Sequence, residues 1–549
     1  MTSQLGTAAA LGVRVPLDVS TACGAWSPSP APDGRRVAVV SDRDGVPAAW
    51  LLDSATAGAH RLDTGPEPVV RVAWSPDGAW VACVLAPGGA PRTELWVVRP
   101  DNTGLRQVAG FGASAATLAG WHPESGALAV TESGPTGCRA LLVEPAGGGR
   151  ELTTGDLVTL LDVSPDGDTA LLRQGPRGAR WLELLDVPTG VTRPLPAGEG
   201  PGSTDRAWFA ADGRTVYART EVAVDLAALV ALDVDGGDPV MVARRTDAEL
   251  EDVVLTADRR TAALLWNRYG GRSEATVLDL TDGERTQRPI PPPAGEVFSD
   301  CALATSGELL CFAVQSPVRP RAVWLVDLAS GTGRVLGDDP ATDATPVGDW
   351  SAVVAPQLCD VRSGDGLTIS GWLYRPDGEG PWPTVISLHG GPEAQERPGY
   401  NPMFQALVAR GVAVFAPNVR GSSGFGRAFV EADNLAGRYG AIADVAACVE
   451  YLVATSVASP GKVGCMGRSY GGYLTLMSLV TFPELFAVGV SECGMSDFGS
   501  FYQETEPWIA AAAVSKYGDP VHDRELLHDL SPLHRLDRLA APLLLVHGA

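Results

Sequence analysis

Val463-Gly464-Cys465-Met466-Gly467-Arg468-Ser469-Tyr470-Gly471-Gly472-Tyr473-Leu474-Thr475-Leu476-Met477 opens as a buried strand and closes as a helix, with a G-x-S-x-G pattern at the join. A strand-to-helix turn this sharp lifts the serine hydroxyl above the sheet edge, and the adjoining helix N-terminus favours negative charge. Small residues at 467 and 471 let strand and helix approach without a Cβ clash, and Gly472 strengthens the match. The bare pattern also occurs in glycine-rich turns with an idle serine. The flanking strand and helix make Ser469 the candidate nucleophile.

Two further blocks precede it. Leu388-His389-Gly390-Gly391-Pro392 follows an earlier apolar strand, where α/β-hydrolases place the loop that completes an oxyanion hole. On this reading the backbone N–H groups of Gly391 and Tyr470 point at the developing oxyanion, and glycine at 391 brings the backbone close to substrate. His389 precedes the nucleophile and is read as orienting this loop rather than as the base. The third block is Asn418-Val419-Arg420-Gly421-Ser422-Ser423-Gly424-Phe425-Gly426. Around these blocks the patterning predicts a hairpin over 361–376, buried strands at 383–388, 412–417, 462–466 and 543–546, and helices at 441–454 and 474–479. Strands alternating with helices indicate a doubly wound α/β domain.

The first two thirds of the chain follow another rule. Trp74-Ser75-Pro76-Asp77-Gly78-Ala79-Trp80-Val81-Ala82 joins a tight turn to an apolar strand, and related units place their turns at 33, 77, 125, 166, 212, 258 and 306. Those positions are 41 to 48 residues apart, the length of a four-stranded propeller blade. Seven copies predict a seven-bladed β-propeller. Asp and Gly supply the local hydrogen bonds and positive φ that the reversals need, so these residues are read as scaffold. The repeat dies out in Gly, Asp, Pro and Thr. The domain plan is therefore an N-terminal segment at 1–20, the propeller at 21–335, a linker at 336–355 and the α/β domain at 356–549.

A formal charge of −23 with no basic run argues against nucleic acid as a partner. Nine scattered cysteines without a C-x-x-C pair suit free thiols in a reducing compartment, and neither a signal peptide nor an apolar span is recognisable. The expectation is a cytoplasmic protein without a membrane partner. Lys462 and Lys516 are the only lysines among 42 basic residues, a skew read as codon usage.

The three blocks together, HGGP, NxRGSxGxG and GRSYGG, resemble the prolyl oligopeptidase family of serine peptidases, closest to its acylaminoacyl-peptidase-like branch. Matching fragments continue through Tyr517-Gly518-Asp519-Pro520, Ser531-Pro532 and Pro542-Leu543-Leu544-Leu545-Val546-His547-Gly548. The resemblance covers essentially the whole chain and implies a propeller ahead of an α/β-hydrolase domain. It implies an acyl-enzyme on Ser469, a His that accepts its proton, an Asp that holds the His tautomer, and no cofactor or metal. Arg420 and Asp497 stand at family-typical positions and are read as loop and salt-bridge residues. In the family the Asp follows the strand that ends in His-Gly and the triad His comes later still, so both are expected beyond Ala549. The chain is then read as lacking the C-terminal end of its hydrolase domain, or alternatively as decayed. His522, His528, His534 and His547 follow Ser469 but none lies where the triad His is expected. Phe501, Tyr502 and Trp508 are read as either an apolar specificity pocket or core. The function implied is hydrolysis of short peptides, of aminopeptidase, acylaminoacyl-peptidase or oligopeptidase type. An esterase or peptide-tailoring acyltransferase and a catalytically dead binding module are the alternatives. Homo-oligomerisation stays open, because family members range from monomers to larger assemblies.

Overall fold

The computed structural model describes residues 23–56, 58–281, 285–290, 295–304, 307–336 and 353–548. The expected N-terminal segment and most of the expected linker lie outside these residues.

Seven four-stranded antiparallel sheets follow one another along the chain from Ala25 to Val335, each ordered as in sequence. The turn chemistry is visible in blade 2, where Ser75 Oγ donates to Asp77 Oδ1 (2.6 Å), Trp80 N–H donates to Ser75 Oγ (2.9 Å), and Ala79 N–H donates to Asp77 Oδ1 (2.9 Å). Gly78 at φ 71° completes the reversal. In blade 6 Arg259 takes the glycine's place at φ 58°. Its guanidinium bridges to blade 4, with Nη2 donating to Asp162 Oδ1 (3.0 Å), and Nη1 also donates to Phe209 O (2.7 Å). A contact between blades thus holds a backbone conformation that local sterics disfavour.

The first strand of each blade packs against strands of the neighbouring blades and lines the central channel. Every one of them carries a register shift, as between Val69 and Arg71, Thr204 and Arg206, and Leu250 and Asp252. An inserted residue twists the strand and re-aims side chains, here at the channel wall. Blade 1 closes on blade 7 through Val37, Val39 and Leu52 packed with Cys311, Val323 and Leu325, which removes the open edges a linear array would leave.

The second domain is a seven-stranded sheet. Its strands are β1 (Gln357–Arg362), β2 (Thr368–Tyr374), β3 (Trp382–Leu388), β4 (Ala413–Asn418), β5 (Ala458–Arg468), β6 (Val488–Glu492) and β7 (Leu543–Val546), in the order β1-β2-β4-β3-β5-β6-β7. From β4 across to β7 all pairings are parallel. Helix α1 (Arg438–Ala454) and helix α2 (Tyr470–Thr481) pack on this sheet. Val445, Cys448, Leu452, Tyr473, Leu474 and Met477 bury one face of it, which is the layering a parallel sheet requires.

The domains meet through specific contacts. Arg397 donates to Gly271 O (2.7 Å), Glu251 Oε1 (2.6 Å) and Ser273 Oγ (2.7 Å), and Trp372 Nε1 donates to Gly270 O (3.0 Å). Between them lies a cavity of about 320 Å³ bordered by Glu249, Asn267, Tyr269, Ser370, Phe425 and Phe429. No described helix is long and apolar enough to cross a membrane.

Candidate active site

Ser469 is the single residue between β5 and α2, exposed, at φ 55° and ψ −117°. A non-glycine residue in that region is strained, and the surroundings hold it there: Ser469 N–H donates to Glu492 O (2.8 Å) at the end of β6. The glycines on either side have steric reasons. A Cβ on Gly467 would overlap the backbone of Gly471, one on Gly471 would overlap the carbonyl of Leu388, and one on Gly472 would stand 2.8 Å from Gly494 Cα. The motif is a close-packing requirement of β3, β5 and α2 together.

The loop after β3 lies against this turn. A Cβ on Gly390 would stand 3.6 Å from Ser469 Cβ, and Gly391 at φ 132° would put one 2.7 Å from Glu393 N. Neither Gly391 N–H nor Tyr470 N–H donates to another group among the described residues, so both are available to an incoming oxygen. His389 is held elsewhere, with Nδ1 2.7 Å from Gly390 O and Nε2 2.8 Å from Ser422 Oγ. Ser422 Oγ donates in turn to Val419 O (2.6 Å). Desolvation lowers the His389 pKa, and the ring ties the first block to the third. Ser469 Oγ itself has no hydrogen-bond partner among the described residues.

The third block has structural partners. Arg420 is buried and contacts Asp444 Oδ1 (2.8 Å), Asp365 Oδ2 (2.7 Å) and Ser363 Oγ (3.4 Å). Its guanidinium lowers the Asp365 pKa to about 2. Asp497 caps a short helix by accepting from Ser500 N–H (2.7 Å) and lies 3.2 Å from His534 Nε2. His534 stacks on His528 at 3.8 Å between ring centroids, and His547 Nδ1 lies 3.3 Å from Gly548 O. Phe501 and Tyr502 are half-buried in an aromatic cluster with Phe498 and Tyr517, and Tyr502 donates to Gly518 O (2.8 Å).

One assembly beneath the site was not legible in the sequence. Asp433 and Arg438, both fully buried, form an ion pair under the nucleophile turn, and Arg438 also donates to the Tyr470 hydroxyl. Lys516, read as incidental, is buried among them, with Nζ donating to Asp433 Oδ1 (3.2 Å) and Val430 O (2.6 Å) and lying 3.3 Å from Glu393 Oε1. Burial works against the Arg438 charge, but Asp433 and the neighbouring tyrosines hold its pKa above the ordinary value. Glu393 then reaches the propeller at Arg177 Nη1 (3.7 Å). A continuous string of charges thus runs from under Tyr470 to blade 4.

Residues 398–549 match the prolyl oligopeptidase family model. The chain is 26% identical over 556 residues to dipeptidyl aminopeptidase BIII of Pseudoxanthomonas mexicana, covering 94% of this chain and 78% of that protein. It is 30% identical over 197 residues to the dual function macrocyclase-peptidase POPB of Amanita bisporigera, covering 34% of this chain and 27% of that protein. The crystal structure of a puromycin hydrolase superimposes with a TM-score of 0.81 at 21% identity, covering 97% of this chain and 87% of that one. The propeller followed by an α/β-hydrolase domain is the fold of that puromycin hydrolase, and the family match places one part of the chain: residues 398–549 form a prolyl oligopeptidase family domain.

Proposed function

We propose that Ser469 attacks the carbonyl of short peptides to form an acyl-enzyme, with the backbone N–H groups of Gly391 and Tyr470 binding the oxyanion. The observation that carries this reading is the strained, exposed backbone of Ser469 at φ 55°, held between β5 and α2 beside the Gly390 loop. Such strain has no purpose in an idle turn. Relatives named for dipeptidyl, aminopeptidase and acylamino-acid-releasing activities support short peptides as the substrate class. The nine unpaired cysteines suit a reducing, cytoplasmic setting. Incubation with a fluorophosphonate probe, followed by peptide mapping, should find the label on Ser469 and lose it in Ser469→Ala. Labelling elsewhere, or none, refutes the assignment.

A second reading draws on the macrocyclase-peptidase relative: the same acyl group is passed to a peptide amine in place of water. Products formed in the presence of an added amine nucleophile separate the two.

A further inference from the structure

The propeller faces the oxyanion loop with arginines whose charge is under-neutralised. Arg173 stands near the end of the second strand of blade 4 (Thr169–Gln174), and Arg177 and Arg180 lie in the loop that follows it. Arg173 has no carboxylate within ion-pair distance among the described residues. It donates from Nη2 to Thr159 Oγ1 (2.9 Å) and from Nη1 to Asp205 O (3.4 Å), and its Nε is buried without a partner. Arg180 lies 3.9 Å from Asp205 Oδ2, but Asp205 is committed to Arg219 at 2.9 Å. Arg177 lies 3.7 Å from Glu393, whose other oxygen is nearer Lys516 at 3.3 Å. Arg177 and Arg180 therefore each face one carboxylate that has a closer cation, and Arg173 faces none among the described residues.

Two other acids stand nearby, Glu249, which is engaged by Arg219 Nη2 at 3.0 Å, and Glu221. Burial, more than any neighbouring charge, raises the Glu221 pKa to about 7, so it is substantially protonated near neutral pH. Burial, with Arg180 next, lowers the Arg173 pKa to about 10. In a protein of net charge −23, so incompletely balanced a positive cluster is a standing cost that an arriving anion relieves. The groups are also within reach, since the Arg177 and Arg180 side chains keep 40% and 23% of their surface exposed.

The cluster lies close to the proposed nucleophile. Gly390 abuts Ser469, and Glu393, three residues on, pairs with Arg177. Extended backbone rises at most about 3.6 Å per residue, which puts Arg177 within about 25 Å of Ser469, the span of roughly seven peptide residues.

We propose that Arg173, Arg177 and Arg180 form an anion subsite for the C-terminal carboxylate of a short peptide whose scissile carbonyl sits at Ser469. The proposal rests on the nucleophile assignment, which fixes where along the peptide cleavage falls. Planar guanidinium groups suit a carboxylate through paired N–H donors, and a fixed distance between this subsite and Ser469 would select peptides by length.

Equilibrium binding to the full chain carrying Ser469→Ala separates the two ideas. A peptide of about eight to ten residues, long enough to span from Ser469 to Arg177, would be titrated calorimetrically as its free acid and as its C-terminal amide. The acid should bind about tenfold more tightly. That ratio should fall to near one in Arg177→Gln, a change at an exposed side chain whose melting temperature verifies folding, and in Arg177→Gln/Arg180→Gln. Inorganic phosphate should weaken binding of the acid and spare the amide. Equal affinities for acid and amide, no measurable binding of the acid, or phosphate competing equally with both overturns the subsite, whatever the fluorophosphonate result. A preserved acid-to-amide ratio without labelling of Ser469 instead refutes only the nucleophile.

Discussion

At the level of single residues, the nucleophile turn depends on absent atoms more than on present ones. Gly471 has no room for a Cβ because the Leu388 carbonyl occupies that place, and backbone cannot swing aside as a flexible side chain can. Gly471→Ala should therefore lower stability by about 3 kcal/mol or more, measured by denaturant unfolding, and abolish fluorophosphonate labelling. Gly120→Ala is the control, since a Cβ there would meet nothing within 4 Å and the backbone φ is not positive; its stability should stay within about 0.5 kcal/mol of the parent. Equal effects of the two changes would remove the close-packing account of the motif. The Asp433–Arg438 pair and Lys516 act at the same scale, fixing Tyr470 from below while its N–H stays free above.

At the level of elements, the blade turns illustrate how a local rule is overridden. Glycine occupies the positive-φ position at 34, 78, 126, 167, 213 and 307, while Arg259 occupies it in blade 6. Its guanidinium bond to Asp162 of blade 4 offsets the backbone strain. Arg259→Ala keeps the strain and loses the bridge, whereas Arg259→Gly loses the bridge but relaxes the backbone. The alanine variant should be the less stable of the two, by about 1 kcal/mol, in paired thermal melts. If the glycine variant is no more stable, the strain is not real. The register shifts in all seven first strands belong here too: just after two of them, Arg206 of blade 5 forms an ion pair with Asp252 of blade 6.

At the level of the whole molecule, charges from both domains gather where propeller and hydrolase face each other, and their titration reports on that contact. Glu221 has its pKa raised to about 7, chiefly by burial, with Arg219 acting in the opposite direction. A carboxyl whose folded pKa is raised contributes its stability below its ordinary range, and loses it as pH rises through the folded value. Glu221→Gln removes that loss. The variant should melt about 2–4 °C above the parent at pH 8 and together with it at pH 4. A difference that persists at pH 4 would mean the residue acts through packing rather than charge.

The sequence by itself determined what depends on near neighbours. Blade spacing, turn residues, the alternation of strands and helices, and the turn carrying Ser469 all follow from side-chain period and φ preferences within a few residues. Tertiary structure alone decided what depends on chains meeting at a distance. Lys516 becomes a buried partner of Asp433 only because residues 83 positions apart are packed together. Arg177 gains meaning only opposite Glu393, and Arg173 only once three other arginines surround it. Burial and proximity set the cost of a charge, and neither can be read from one-dimensional spacing.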